Sequence, residues 1–331
     1  MLDFKDYISG LPDIPHQNFI AWLEAIEKDW ADRDAILYRS GKQREFTRWS
    51  FGRFAGECRR IGRGLLAAGL ERGDRVVLWA ENRPEWMAVW MGSLIAGLSI
   101  VPVDFLISEK ECLNIIKITR ARAFFYSGRK KSFAESLPAN GVKFPVSINI
   151  SGGEETGNGA KTGYESFGAG AENQALPSAA DIAGHDPASI VFTSGTTGFA
   201  KGVTLCHRGI IANVSAAIRI LEPVPEDVFI NVLPLHHTYP TTCSFLCPLS
   251  IGVPTIIVDK IVGKVVIDDI RDAGGTFLIA VPLLYDKVMT AIKQGYNKLP
   301  GILRGPLDIL RKIALAEANK GNPDFGRKVF K

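Results

Sequence analysis

The stretch GDRVVLWAENRPEWMAVWMGSLIAGLSIVPVD, residues 73–104, carries the strongest signal for the fold. RVVLWA, residues 75–80, is a short apolar run that is typical of a buried strand. Pro84 stands where a first helical turn would begin, and Gly97 where that helix would end. SIVPVD then predicts a second buried strand, ending at Asp104. The order strand, helix, strand indicates a layered α/β domain.

The same stretch contains an apolar run of 18 residues, Trp86 to Val103, which is the lower limit for a membrane span. A buried helix followed by a buried strand explains the run without lipid, because Gly97 divides it. We therefore expect no transmembrane segment, while peripheral contact with a membrane is compatible with the sequence.

The alternation of helices and strands continues on the amino-terminal side of this stretch and beyond it. Residues 50–69 place apolar side chains at helical spacing, with Ser50 as a candidate cap and Gly69 as a stop. ARAFFYS, residues 121–127, predicts a further strand. We expect residues 1–150 to form a first α/β subdomain.

A change in composition separates this part from the rest of the chain. Residues 151–187 are dense in Gly, Ser, Ala and Asn with little periodicity, which indicates a long surface connection. The alternation resumes with SIVFT at 189–193 and GVTLCH at 202–207. We expect residues 188–331 to form a second α/β subdomain, so that the 331 residues pack as two.

Composition and charge exclude several classes of protein. The formal net charge is +4, and basic residues are interleaved with acidic ones, so no nucleic-acid partner is expected. The five cysteines follow no repeating frame, which is typical of a reducing compartment. Residues 1–17 lack the basic start and apolar segment of a signal peptide. These features predict a cytoplasmic globular protein.

The stretch TSGTTGFAKGV, residues 193–203, is the strongest functional signal. Its glycines let the backbone turn sharply and bring N–H groups inward, its hydroxyls add donors, and Lys201 adds charge. Such a set can hold polyphosphate oxygens, although a hairpin turn with a solvated lysine would have the same composition. The Walker pattern does not apply, because Gly202 and Val203 follow the lysine.

Three segments together resemble the adenylate-forming enzymes: acyl-CoA synthetases, adenylation domains of peptide synthetases, and firefly luciferase. The loop is similar to their TSGTTG-x-PKGV signature, except that Ala200 stands where proline is usual. This change is expected to loosen the turn without removing a donor. Residues 73–104 and LPLHHTY, residues 233–239, resemble two further segments of that family. The resemblance extends from about residue 20 to the end of the chain.

The resemblance implies an α/β fold, the large amino-terminal domain of these enzymes, truncated before the adenine-binding and carboxy-terminal parts. It implies two catalytic residues, with Lys201 near the β- and γ-phosphates of ATP and His237 beside the acyl carboxylate and the adenylate phosphate. The other phosphate-binding residues that it implies are Thr193, Ser194, Gly195, Thr196, Thr197 and Gly198. The substrate pocket is expected to include His236, Tyr239 and Thr241.

The adjacent histidines allow other interpretations. Without the upstream loop, the ordinary interpretation would be that both histidines are buried and have a structural role. An HHxxxD acyltransferase would need an aspartate where Thr241 stands. A zinc site could draw on His236, His237, Cys243 and Cys247, but the cysteine spacing and the apolar surroundings favour core packing. No metal ligand is therefore assigned.

The resemblance implies ATP- and Mg²⁺-dependent activation of a carboxylic acid and transfer of the acyl group to CoA. AVPLLYDKV, residues 280–288, resembles the long-chain fatty acyl branch, so a fatty acid is favoured over an aryl or amino acid. A non-catalytic nucleotide-binding relative is the alternative of another class. The YGxTE element, the TGD aspartate and the carboxy-terminal lysine of the family are not found. The chain is therefore expected to hold about half of an enzyme and to be inactive alone.

Overall fold

The computed structural model describes residues 16–40, 43–151, 163–193, 201–259, 262–301, 304, 305, 307–309, 312, 313 and 316. The chain divides into two units, residues 1–261 with 268–279, and residues 262–267 with 280–331. Both β-sheets belong to the first unit. No helix in the described part of the chain is long and apolar enough to cross a membrane.

The smaller sheet, sheet A, has five strands. They are β1 (Asp34–Arg39), β2 (Thr47–Ser50), β9 (Phe229–Asn231), β10 (Thr255–Val258) and β11 (Phe277–Ile279). Their spatial order is β11-β9-β10-β1-β2. The first four strands in this order are parallel, and β2 pairs antiparallel with β1.

The larger sheet, sheet B, has six strands. They are β3 (Arg75–Trp79), β4 (Ser99–Pro102), β5 (Ala123–Tyr126), β6 (Val146–Asn149), β7 (Pro187–Thr193) and β8 (Lys201–Cys206). Their spatial order is β6-β5-β3-β4-β7-β8, with all neighbours parallel except β7 and β8. The α/β fold class is confirmed.

Helices connect most of the strands. They are α1 (Phe19–Trp30), α2 (Phe51–Ala67), α3 (Pro84–Ile95), α4 (Glu109–Thr119), α5 (Lys131–Ser136), α6 (His207–Leu221), α7 (Thr238–Pro240), a π-helical segment (Thr241–Leu246), α8 (Cys247–Ser250), α9 (Gly263–Ala273) and α10 (Pro282–Asn297). Two predicted boundaries are confirmed: the Ser50 side chain accepts a hydrogen bond from the N–H of Arg53, and Gly97 follows α3 with a φ of 76°.

The segment 73–104 forms the predicted strand, helix and strand. Nearly every side chain of α3 and every side chain of β4 is buried, which accounts for the long apolar run. Side chains of β3 alternate between two apolar clusters, one on each face of sheet B: Val76 and Leu78 lie in one, Val77 and Trp79 in the other. The first cluster also contains Ile36 of sheet A, so the two sheets share a core.

Both sheets draw strands from both of the predicted subdomains. β1 and β2, which precede residue 150, lie beside β9, β10 and β11, while β7 and β8 lie beside β4. The predicted boundaries therefore do not separate the two sheets. The physical reason is that pairing between distant strands depends on which apolar faces pack together, and local periodicity carries no information on that choice.

The connection between these segments, expected to lie on the surface, is partly packed in its described portion, residues 163–186. Tyr164 and Phe167 are buried, and the Arg60 guanidinium of α2 donates to the carbonyl oxygens of both. The Tyr164 hydroxyl donates to Glu57 Oε2 at 2.9 Å. These two aromatic residues thus anchor the connection to α2, a contact that composition did not predict.

Candidate active site

The loop of the TSGTTG stretch joins β7 to β8, and its described ends are in the sheet. Thr193 and Lys201 are partners in the antiparallel ladder, and Gly202 pairs with Phe192. β8 therefore begins at Lys201, one residue before the predicted strand at 202–207, because the ladder with β7 extends to the pair Thr193 and Lys201. The predicted phosphate-binding residues Ser194, Gly195, Thr196, Thr197 and Gly198 lie outside the described residues.

Lys201 is available to a ligand. β8 is the edge strand of sheet B, and its first four residues are exposed. Thr193, the last residue of β7, is exposed as well. The ammonium of Lys201 is carried on a long, flexible side chain and is therefore accessible from solvent.

The segment that follows β9 of sheet A meets the edge of sheet B where β4 and β7 end. β4 and β7 are parallel neighbours, so both end at the same edge of sheet B, and Asp104 follows β4 there. His236 comes from the segment after β9 of sheet A, yet its Nε2 lies 3.7 Å from Asp104 Oδ1. Ligands of open α/β sheets commonly bind outside the carboxyl ends of the strands.

The two histidines differ in environment although their ring centroids are 4.0 Å apart. The His236 side chain is 10% exposed, and its Nε2 has no hydrogen-bond partner. Burial, reinforced by the neighbouring His237, lowers the pKa of His236 to about 4, while Asp104 opposes this shift. His236 is therefore neutral at pH 7, whereas His237 is exposed to solvent.

Side-chain hydrogen bonds hold the backbone just before the histidines. The Asn82 amide nitrogen donates to the carbonyl oxygen of Leu233 at 2.7 Å, and the N–H of Leu235 donates to Asn82 Oδ1 at 2.8 Å. The Thr241 hydroxyl donates to the carbonyl oxygens of Leu235 and His237. Thr241 begins the π-helical segment, and π-helical turns are rare and frequent at functional sites.

A cavity of about 210 Å³ lies between β7, β8, α6 and the segment that begins at His236. Its lining comprises Trp90, Pro102, Ser189, Val191, Leu205, Ile210, Asn213, His236, Thr238, Thr241 and Thr242. Of the predicted pocket residues, His236 and Thr241 line this cavity and Tyr239 does not. The predicted catalytic residue His237 is not among the lining residues either. Trp90 and Asn213 had no local sequence signal, because the packing of distant elements brings them here.

The cysteines near the histidines are poor metal ligands in this fold. Burial raises the pKa of the Cys247 thiol to about 12 and also raises that of Cys243. A thiol must lose its proton to bind zinc. Within the described ranges, no group of three or more His, Cys, Asp and Glu side chains is arranged to hold a metal ion.

A segment rich in glycine and hydroxyl residues that follows a parallel strand, with a lysine beside it, is typical of nucleotide-binding α/β proteins. A family model described as AMP-binding enzyme matches residues 23–318. The chain belongs to this family, as the sequence resemblance implied.

Relatives of this chain are CoA ligases. Long chain acyl-CoA synthetase 7, peroxisomal, of Arabidopsis thaliana is 28% identical over 312 residues, which cover 90% of this chain and 43% of the relative. A mitochondrial medium-chain acyl-CoA ligase of Danio rerio is 27% identical over 255 residues, which cover 70% of this chain and 41% of the relative. The chain thus spans less than half the length of either.

Solved structures share the fold. ATP-bound MatB from Rhodopseudomonas palustris superposes with a TM-score of 0.68 at 23% identity, covering 82% of this chain and 51% of that one. This similarity supports the α/β fold.

Proposed function

We propose that this chain forms the phosphate- and acid-binding part of an enzyme that converts a carboxylic acid into its CoA thioester with ATP. A carboxylate oxygen of the acid attacks the α-phosphorus of ATP, and pyrophosphate leaves. The sulfur of CoA then attacks the acyl carbonyl, AMP leaves, and the thiol proton passes to solvent. One observation carries the proposal: the cavity beside His236 is lined by β7 and β8, the strands that flank the phosphate loop.

The loop and Lys201 would serve the phosphates. Phosphoryl transfer requires positioning and neutralisation of charge rather than covalent chemistry by the protein. The exposed ammonium of Lys201 and the hydroxyl of Thr193, at the two ends of the loop, are suited to the β- and γ-phosphates. Mg²⁺ would arrive with ATP, because this ion is commonly held by substrate phosphates and few protein ligands.

The histidine pair would serve the acid. His236 is neutral and largely buried in the cavity wall, so it can contact the acid without adding charge to the cavity. His237 is exposed next to it and can donate to the carboxylate and then to the adenylate phosphate. We assign His237 to the reacting groups and His236 to the cavity wall.

We further propose a fatty acid as the substrate. The cavity wall includes Trp90, Leu205 and Ile210, which suit an alkyl chain. None of the described lining residues is acidic, so the ammonium of an amino acid would find no oppositely charged partner among them. The volume of about 210 Å³ is below the range of roughly 300–1,000 Å³ usual for ligand pockets, so it would take the carbons nearest the carboxylate.

The test compares Lys201→Ala and His237→Ala in the full-length parent, that is, the longer enzyme of which this chain is expected to form about half. Loss of Lys201 removes charge-assisted contacts of about 1.5–3 kcal/mol, so the dependence on ATP should weaken roughly ten- to a hundredfold. Loss of His237 should slow adenylation and alter the dependence on the acid while ATP binding stays nearly intact. Pyrophosphate exchange and single-turnover adenylation with fatty, aryl and amino acids separate these effects.

Lys143→Ala, at an exposed lysine before β6, is the matched control and should keep the parental rates. Residues 1–331 assayed alone should show no pyrophosphate exchange with any acid, because the adenine and ribose elements of the family are not found in this chain. Parental rates and parental ATP dependence in both site variants would refute the assignment of the site. Binding of ATP by the parent with no acid activated would favour a non-catalytic nucleotide-binding protein.

A further inference from the structure

We infer that Asn82 is a positioning residue for the histidine turn, defined here as residues 233–237, and that it orients His236 and His237 for the acid. This inference rests on the proposed function for its catalytic consequence. Asn82 is not among the residues that line the cavity, and its two described hydrogen bonds go to the backbone of the histidine turn. Its effect would therefore pass through the backbone of the turn.

Asn82 uses both ends of its amide on this turn. Its nitrogen donates to the carbonyl of Leu233, and its oxygen accepts from the N–H of Leu235. Pro234 between them has no N–H, and the turn belongs to neither a strand nor a helix. A planar group that donates to one residue and accepts from the next but one fixes the direction of the backbone between them.

Thr241 also hydrogen-bonds to the backbone of the histidine turn. Because its hydroxyl donates to the carbonyl of Leu235, both backbone polar groups of that residue are satisfied by side chains. The Leu235 side chain is itself fully buried in the core, together with Phe245. The residue before His236 is thus held at three points, which leaves the histidine little freedom to leave the cavity wall.

The location of Asn82 gives this hold a functional meaning. It lies just after β3, at the edge of sheet B where β4 and β7 also end. The turn itself follows β9 of sheet A. Asn82 thereby links the turn that carries the histidines to the edge of sheet B that carries the phosphate loop, across 151 residues of sequence.

The experiment uses Asn82→Ala and Asn82→Asp, with Asn140→Ala as the matched control. Asn140 is an exposed asparagine whose amide donates only locally, to the carbonyl of Ser136. Asn82→Asp keeps an acceptor for the N–H of Leu235 and loses the donor to Leu233. It covers the case in which Asn82→Ala does not fold, which near-ultraviolet circular dichroism would reveal.

The first readout is the titration of the histidines in residues 1–331, followed by NMR on ¹⁵N-histidine-labelled protein without substrate. Burial and the neighbouring His237 keep the pKa of His236 low, and Asp104, which also faces it, opposes this shift. In Asn82→Ala the freed turn should admit water and raise the pKa of His236 by about one unit or more toward 6.5. The buried His207 should titrate unchanged in Asn82→Ala. In the control, Asn140→Ala, both His236 and His207 should titrate as in the unsubstituted chain.

The second readout is adenylation by the full-length parent. We expect kcat to fall about ten- to a hundredfold in Asn82→Ala with the KM for ATP within about twofold, since misplacement of reacting groups has effects of this size. The kcat of Asn82→Asp should lie between that of Asn82→Ala and that of the unsubstituted parent. An unchanged His236 titration with a lowered melting temperature would reduce Asn82 to a structural role and overturn the inference. A loss of ATP affinity as large as the fall in kcat would also overturn the inference.

Failure of the proposed function has a different signature. If the parent activates no acid yet His236 shifts in Asn82→Ala, the proposed function fails while the control of the turn by Asn82 stands. If the parent is active and neither readout responds to Asn82, only the present inference fails.

Discussion

The two parts of the candidate site, the β7–β8 hairpin and the histidine turn, are held by different kinds of interaction. The hairpin is a backbone ladder between strands that are adjacent in sequence, and the first side chains of β8 are exposed. The turn depends on a side chain 151 residues away and on a buried helical segment beneath it. Side-chain substitutions should therefore be tolerated in the hairpin and costly around the turn.

The largest difference is expected between Phe245→Ala and Val203→Ala. Phe245 is fully buried in the π-helical segment and packs edge-to-face on Phe54 and Trp90, at centroid distances of 6.1 and 5.6 Å. Its truncation should lower the free energy of unfolding by about 3–5 kcal/mol. Val203 of β8 is 46% exposed, and its truncation should cost less than about 0.5 kcal/mol. Urea denaturation of both variants checks this, and equal losses would contradict the comparison.

Acid should destabilise the fold through two buried histidines, His236 of the histidine turn and His207, which follows β8. His207 is fully buried, its Nδ1 accepts from the N–H of Phe19, and burial lowers its pKa to about 4, as for His236. Both folded-state pKa values lie below the unfolded value near 6.5, so the unfolded state binds protons first as the pH falls. Stability should decrease from pH 7 to pH 5 by roughly 1–2 kcal/mol for each histidine, and further toward pH 4.

His207→Asn offers the Phe19 N–H another acceptor and removes one titrating group. Its loss of stability between pH 7 and pH 5, measured by urea denaturation, should be smaller than that of the parent chain by roughly 1–2 kcal/mol. His185→Asn, at an exposed histidine, is the control. The same pH dependence in all three proteins would show that burial of His207 does not govern acid sensitivity.

The smallest difference in stability is expected when threonine is replaced by valine at one position beside the histidine turn and at one position in the hairpin. Thr241→Val removes the hydroxyl that serves the carbonyls of Leu235 and His237, so a buried acceptor loses its partner, at a cost of about 1–2 kcal/mol. Thr204→Val in β8 changes an exposed side chain and should stay within about 0.5 kcal/mol, because valine suits a strand. Thermal unfolding of the pair measures the difference, and a larger loss at position 204 would reverse the comparison.

Local physics made much of this protein predictable from its sequence. The cap at Ser50, the glycine after α3 and the strand, helix and strand of residues 73–104 each follow from interactions within a few residues. The family could be recognised for the same reason, since the glycines, the hydroxyl residues and the lysine of its signature occupy nearly consecutive positions, residues 193–203. The strands that flank this turn were predicted as well.

What only the tertiary structure decided concerns residues that are far apart in the chain. It determined that strands from both halves share each sheet, that His236 rather than His237 lines the cavity, and that Asn82 holds the turn before them. It also packed Tyr164 of the connection onto α2. Periodicity and capping report the neighbours of a residue along the chain. Burial and long-range hydrogen bonds depend on which apolar faces meet, and this is settled only when the whole core forms.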